Sequence, residues 1–438
     1  MKEELRQAAR DHLVRYGGDT FESLFVSAKG TCVYDDNGRE ILDFTSGQMC
    51  ATLGHNHPAI VAAIKRSTQK ALHLFSGMIP EAVAELAKTL ADDWLPQPLT
   101  RSLFLNTGSE SNEAALRIAK IHTGGHEVIA VGGSWHGTTG GSQSVTYASD
   151  RRGYGPTIPG TFVIPEPYAY RPLVVGASEE ESALAALEIG LKLFDAQSCG
   201  RPAAIIVEPI ISAGGVLVPP RAYMQGLRQA ADDRGMLLIF DEAQTAFGRL
   251  GVPFGMDYHG VQPDILTVSK TLGGGLPLSA TVTSDALEQS AHDKGFTFYT
   301  SHVSDPLPAE VGLAVLGTIQ ADNLVERGAQ MGAYLRQQLD ALQQKYEAIG
   351  DVRGVGMLLG VELVKDRESR EADHELGAIT TERCFQLGLS MNIRRRKERG
   401  AVWRIAPPLT VSRDEIDRGI AILDDAMAFG LEKIAARS

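Results

Sequence analysis

Between Ser102 and Ala280 the chain alternates short apolar runs, SLFL, EVIAV, AAIIV, MLLIF and ILTVS, with stretches whose apolar residues recur at helical spacing. Runs that are apolar on both faces and separated by helices predict a largely parallel sheet with helices packed on it. Downstream, NLVERGAQMGAYLRQQLDALQQKYEAIG predicts a long amphipathic helix, GMLLGVELV a strand, and Arg413 opens a closing helix. These elements predict a smaller α+β unit. The first residues, MKEELRQAARDHLVRYGG, mix acids with bases and predict a surface helix. GVGMLLG (Gly354 to Gly360) has the look of a dinucleotide fingerprint, but its spacing is wrong and a strand comes next, so a turn is expected.

The residues just past each apolar run carry the chemistry. After SLFL come Asn106, Thr107, Gly108 and Ser109, and after EVIAV come Ser134, Trp135 and His136. The other three runs lead to Glu208, Asp241 and Lys270. In open α/β sheets, ligands bind at the carboxyl ends of the strands, so these residues are expected to converge. Thr107 and Glu110 make a capping-box pattern, and the helix start they predict suits a phosphate. Asp241 ends an apolar run, where a carboxylate needs a cation or a ring N–H as partner. Trp135 beside His136 offers a face on which a flat ring stacks. Lys270 sits between the run ILTVS and three glycines, and a desolvated lysine loses its proton easily and becomes a nucleophile. The glycines are expected to let backbone approach a ligand.

Composition narrows the class. The chain has 438 residues, 43% hydrophobic and 22% charged, which predicts two or three domains and a large core. A net charge of −12 excludes a phosphate-backbone partner, and RRRKERG (Arg394 to Gly400) is expected to be a solvated loop. No apolar run is long enough to cross a membrane, and no secretion signal opens the chain, so a cytoplasmic location is expected. Cys32, Cys50, Cys199 and Cys384 are scattered and expected to be plain thiols. His55 and His57 of GHNHP have no accompanying cysteine or further histidine cluster and are expected to be loop residues near the site.

A phosphate site, a stacking ring, a buried acid for a ring nitrogen and a lysine for a carbonyl together describe pyridoxal phosphate. Lys270 would join the cofactor as a Schiff base and, once displaced, serve as general base.

The motifs LDFTSG…LGHNHP, NTGSESNEAA, SWHG, VEP, DEAQT and SKTLGGGLPLSA resemble the class III pyridoxal-phosphate aminotransferases of fold type I. The resemblance covers nearly the whole chain. It implies an α/β fold: a large domain with a mainly parallel seven-stranded sheet, and a smaller α+β domain. The domains expected are an N-terminal segment, 1–55, packing with the small domain, a large cofactor-binding domain, 56–312, and a small C-terminal domain, 313–438. The resemblance implies that Lys270 carries the cofactor, Asp241 pairs with the pyridine nitrogen and Gln244 bonds the phenolic oxygen. Trp135 and Ala243 would sandwich the ring, with His136 and Glu208 beside it. Thr107, Gly108 and Ser109 would hold the phosphate with Ser301 from a neighbouring subunit, which implies a homodimer at least and a homotetramer as the expected assembly. Arg404 would take a substrate carboxylate. Amino acids and keto acids are the expected substrates.

DHLVRYGG, LDFTSGQM, HLFSGM, HVSDPLP, LSMNI and RIAPPLTVS resemble the 2,2-dialkylglycine decarboxylase branch of that family. This implies decarboxylation-dependent transamination of substrates such as 2-aminoisobutyrate, giving ketone and carbon dioxide, with pyruvate accepting the amino group to give alanine. Gln48 would contact the departing carboxylate. The same resemblance implies an alkali-metal site, potassium with sodium as competitor, formed by Leu74, Ser76, Ser301, Val303 and Asp305. Thr138 and Ala213 depart from the branch pattern at the substrate pocket. The alternative is a plain aminotransferase for ω-amino or α-amino donors.

Overall fold

The computed structural model describes residues 2–16, 21–148, 151–396 and 400–437. Three sheets organise it. The first strands are β1 (Phe25–Lys29), β2 (Cys32–Asp35) and β3 (Glu40–Asp43). Next come β4 (Leu99–Leu105), β5 (Glu127–Val131), β6 (Thr161–Ile164), β7 (Pro202–Val207), β8 (Leu237–Asp241), β9 (Ile265–Val268) and β10 (Ser279–Ser284). The last are β11 (Ile349–Val355), β12 (Leu358–Leu363), β13 (Leu389–Ser390), β14 (Asn392–Arg396) and β15 (Gly400–Ile405).

Strands β4 to β10 form a seven-stranded sheet in the order β4-β10-β9-β8-β7-β5-β6. It is parallel from β9 through β6, and β10 runs antiparallel to both β9 and β4. Because β10 opposes both neighbours, β4 points the same way as β9. The carboxyl ends of β4, β5, β7, β8 and β9 therefore share one edge. Every residue of β5 and β9 is buried, as expected for strands covered by helices on both faces.

A four-stranded sheet, β11-β12-β15-β14, lies with the helices Leu324–Lys345 and Arg413–Ala435. The turn between β11 and β12 contains Gly356 and Met357, so GVGMLLG is a hairpin turn, as its spacing predicts. The third sheet joins the N-terminal strands to the C-terminal part, since β13 pairs in parallel with β3. The predicted surface helix spans Lys2–His12 and buries none of its residues.

One expectation is corrected. Arg394, Arg395 and Arg396 lie in β14, paired with Val402, Ala401 and Gly400, and not in a solvated loop. A charged run reads as loop in isolation, but β15 supplies a partner for its backbone. Lys397 to Arg399 lie outside the described residues. Of the glycines after Lys270, Gly274 serves helix packing, since a Cβ there would lie 2.7 Å from Ile60 and 2.8 Å from Val315, whereas a Cβ on Gly275 would meet nothing within 4 Å.

Candidate active site

The site begins where β9 ends. Ile265–Val268 is buried, and Lys270 then turns off the strand into a 3-10 turn, Lys270–Gly273, with φ +46. A positive φ is uncommon for a residue with a Cβ and persists where the surroundings hold it. Desolvation pulls its ammonium below the usual lysine range, opposed by the charges of Asp241, Cys50 and Glu208. Those groups and Arg404, which also lowers it, all lie close enough to Lys270 to act on its charge.

Asp241 ends β8 and is 3% exposed. One oxygen, Oδ2, accepts from Asn112 Nδ2 at 2.7 Å and pairs with His136 Nδ1 at 2.9 Å, and Oδ1 accepts from the Ala243 amide at 3.0 Å. Burial works to raise its carboxyl, but the His136 hydrogen bond and charge more than offset this and hold it below the usual range. Asp241 is therefore a buried, ionised carboxylate. Asn112 also donates to the His136 carbonyl at 2.7 Å and accepts from Thr267 Oγ1 at 2.7 Å. Sequence reasoning missed Asn112. Its signal was present, since it lies five residues past Thr107 on the helix that the capping box predicts.

That helix spans Gly108–Thr123, with the capping box of Thr107 and Glu110 closed. Its first turn places the Gly108 and Ser109 backbone beside the site, and Ser109 Oγ accepts from the Thr138 amide at 3.1 Å. Gly137 makes the close approach possible: at φ +145 a Cβ would lie 2.6 Å from Ser109 Oγ. Thr107 Oγ1 accepts from the Glu110 amide at 3.3 Å, so this hydroxyl caps the helix.

Trp135 and Ala243, just past the ends of β5 and β8, are partly exposed, and Tyr154 packs edge-on to Trp135 at 6.4 Å. The Trp135 amide donates to Glu208 Oε1 at 2.7 Å, and the Ser212 amide donates to Oε2 at 3.2 Å. Burial, only partly countered by His136, pushes the Glu208 carboxyl up to about 7. Gln244 Oε1 accepts from Ser212 Oγ at 2.7 Å and from Arg404 Nη1 at 3.4 Å. With the oxygen so engaged, the amide Nε2 faces away from both donors and is free to donate to a ligand oxygen. Ser212, also missed by sequence reasoning, sits in the same turn as buried Ala213.

Gln48 lies exposed on the kinked turn Ser46–Met49, two residues from Cys50, whose thiol feels the Lys270 charge. Asp43 holds that turn, accepting from the Thr45 amide at 2.9 Å and the Gly47 amide at 2.5 Å while pairing with His55 Nε2 at 2.8 Å. His57 caps the helix Pro58–Ser67 through a bond from the Ala59 amide.

The residues expected to hold an alkali cation lie in two neighbouring segments. Both oxygens of Asp305 are engaged by imidazoles, Oδ1 with His73 Nδ1 at 2.7 Å and Oδ2 with His302 Nδ1 at 2.6 Å. Ser76 Oγ donates to the Tyr299 hydroxyl at 2.6 Å, and Ser301 is exposed. Leu74 and Val303 are partly buried in the same two segments. The ligand atoms of His73, His302 and Asp305 lie within 4.8 Å of one another, so nitrogen joins oxygen in this cluster.

The residues fit pyridoxal phosphate on their own geometry. The ionised Asp241 meets histidine, asparagine and a backbone amide but, among the described residues, no lysine or arginine at salt-bridge distance. Its Oδ1 edge is thus suited to a pyridinium N–H. The helix start at Gly108 suits the phosphate, and Lys270 the carbonyl.

Comparison with known proteins accords with this geometry. The family model described as aminotransferase class-III matches residues 15–427. An uncharacterized aminotransferase of Schizosaccharomyces pombe is 46% identical over 96% of this chain and 94% of its own. A leucine/methionine racemase of Thermococcus litoralis is 33% identical over 92% of this chain and 90% of its own. The solved ω-transaminase of Pseudomonas jessenii in complex with PMP superposes with a TM-score of 0.90 at 27% identity, covering 99% of both chains.

Proposed function

The chain belongs to the class-III aminotransferase family, and from that premise we propose that it moves an amino group between a carboxylate-bearing donor and a keto acid on pyridoxal phosphate. The observation that carries this reading is Lys270, desolvated and turned by a positive φ toward an ionised Asp241. The bound cofactor would supply an electron sink beside the carbon that bears the amino group.

The chain's own residues divide the remaining work. Asp241 would hold a proton on the ring nitrogen, and His136 and Asn112 keep Asp241 charged. Trp135 and Ala243 would flank the ring, Gln244 Nε2 would donate to its oxygen, and the Gly108 and Ser109 amides would hold the phosphate. Lys270, with its amine held below its ordinary range, would serve as the base that accepts the proton from the donor's carbon. Arg404, 4% exposed, orients the substrate carboxylate through its planar fork.

The exposed apolar residues Leu72, Phe75, Met78, Ile79 and Tyr299 lie in the two segments that carry Ser76 and Ser301. This supports pairing with a second copy, in which Ser301 would reach the partner's phosphate site. A homodimer, or a tetramer built from two, and a cytoplasmic location belong to the same proposal. Among the described residues no helix is long and apolar enough to cross a membrane.

A second reading is favoured by Gln48. The turn that carries it is held by Asp43 against two positive φ values, Ser46 at +48 and Met49 at +61, which is more fixation than an idle loop needs. Gln48 would then hold a carboxylate perpendicular to the ring, so that carbon dioxide leaves from a 2,2-dialkylglycine. The names of two of the relatives, an aminotransferase and an ω-transaminase, support amino transfer instead, and amino transfer is the leading reading.

One experiment separates the two. Holoenzyme is mixed in single turnover with L-alanine and, separately, with 2-aminoisobutyrate, without keto acid, and the cofactor spectrum is followed with released carbon dioxide. Conversion by L-alanine without gas is expected. Stoichiometric gas from 2-aminoisobutyrate would move the assignment to the second reading, and no spectral change with any amino donor would remove both.

A further inference from the structure

Arg249 is 1% exposed, yet among the described residues no carboxylate pairs with it. Burial pulls its guanidinium down to about 10, and its Nε has no hydrogen-bond partner. An uncompensated buried charge is costly, and a methionine of similar length would fill the space without that cost. The fork must therefore do something that packing alone does not.

Its contacts answer the question. Nη1 donates to the Pro407 carbonyl at 2.5 Å and to the Met357 carbonyl at 3.4 Å. Nη2 donates to Thr52 Oγ1 at 3.1 Å, and Thr52 Oγ1 shares a 2.8 Å hydrogen bond with Thr271 Oγ1. Both hydroxyls are buried. Pro407 lies three residues past Arg404, Thr52 four past Gln48, and Thr271 adjoins Lys270. Arg249 itself lies five past Gln244. One side chain thus reaches, directly or through one hydroxyl, every segment that carries a group named for the reaction outside the phosphate and ring-stacking walls.

We propose that Arg249 is a positioning residue: through Thr52 and Thr271 it holds Lys270 in its left-handed turn and keeps the Gln48 and Arg404 segments in register with Asp241. A left-handed residue with a Cβ is strained and persists only where neighbours over-determine it. Thr271, clamped through its hydroxyl, is the neighbour that fixes the Lys270 backbone. Five rigid donors make arginine the residue suited to tie carbonyls and a hydroxyl from three separate segments. This inference rests on Lys270 being the cofactor lysine and does not depend on which substrate is turned over.

The test uses Thr52→Val, which keeps the shape and removes the hydroxyl, and Thr52→Ser, which keeps the hydroxyl. The L-alanine half-reaction of each holoenzyme is measured together with the pH titration of its cofactor absorbance. In the cofactor-free protein, the pH dependence of Lys270 acylation is read by mass spectrometry. The valine variant is expected to lower the limiting rate about tenfold with half-saturation within about twofold, and to move both pH midpoints by about half a unit or more. The serine variant is expected to restore all of these. A valine variant with wild-type rate and both midpoints overturns the proposal, as does a serine variant that fails alongside it, because that would assign Thr52 a packing role. If the wild-type protein converts no amino donor, the function reading fails, while the acylation midpoints still decide this one.

Discussion

Two regions of this molecule bury charge, and they do so in opposite ways. Between the C-terminal sheet and residues 168–171, Glu362 is fully buried and accepts from Arg171 at 2.6 and 2.9 Å, from Arg353 at 2.7 Å and from the Tyr168 hydroxyl. Arg353 also pairs with Asp351 at 2.7 Å and donates Nε to the Gly215 carbonyl at 2.8 Å. Burial opposes the Arg353 charge, but Tyr168, Glu362 and Asp351 more than offset it and hold its guanidinium above the ordinary range. Two cations and two anions there complete each other.

At the carboxyl edge of the seven-stranded sheet the charges are left incomplete. Glu208 has two backbone amides and, among the described residues, no cation at hydrogen-bond distance, and it is pushed up to about 7. Lys270 is pulled down by desolvation, and Asp241 keeps an edge of its carboxylate for a further donor. A closed network supports the fold, whereas an open one stores the proton affinities that chemistry uses. Arg249 belongs to neither class, since it is closed by neutral oxygens only.

The comparison breaks first at Lys270. Lys270→Ala is expected to lower amino transfer by about ten-thousandfold without loss of thermal stability, because it removes a desolvated charge. A stability loss with retained turnover would place Lys270 in the structural class. Asp241→Asn is expected to lower the limiting rate by about 100- to 1,000-fold while the protein still folds, since an amide can still accept from Asn112. Steady-state kinetics and a melting curve on the same preparation check both.

The closed network should behave in the reverse manner. Glu362→Ala leaves Arg353 and Arg171 facing each other without their shared anion and is expected to cost about 3–5 kcal/mol in denaturant unfolding, with the folded fraction keeping its rate within about threefold. A large rate loss at unchanged stability would mean that the two regions are one.

The smallest effect is one of pH. Glu208 and Glu242 are both pushed up to about 7 by burial, from an ordinary value of 4.5. Between these values the unfolded chain has released protons that the folded one keeps, so stability falls as pH rises from about 4.5 to 7 and the penalty is complete above that. Glu208→Gln in the cofactor-free protein should flatten part of this slope in melting curves. A slope unchanged by the substitution would show that Glu208 is satisfied as fully as Glu362.

Much of this is legible in the amino-acid order. The apolar runs mark the strands, the Thr107 and Glu110 spacing marks the helix start, and the residues after each run do gather at one edge. Periodicity and capping are local, acting over three or four residues, so one chain segment is enough to read them. Asn112 and Ser212 escape such a reading because an asparagine inside a helix and a serine in a turn carry no local sign of a partner more than 30 residues away. The basic run reads as loop for the same reason: its backbone partner, β15, enters only when the chain folds back.

The sequence by itself determined the class of fold, the kinds of chemical group at the sheet edge and, through its motifs, the family. Only the tertiary structure decided which way those groups are pushed, that the Asp241 carboxyl is held below the ordinary range while that of Glu208 is raised above it, and that Gly274 makes room for Ile60 and Val315. Only it brought the carbonyls and hydroxyl around Arg249 together. Spacing along a chain fixes what a side chain is and which way it can point. Its proton affinity and its partners depend on which distant segments exclude water around it, and those are brought near by packing alone.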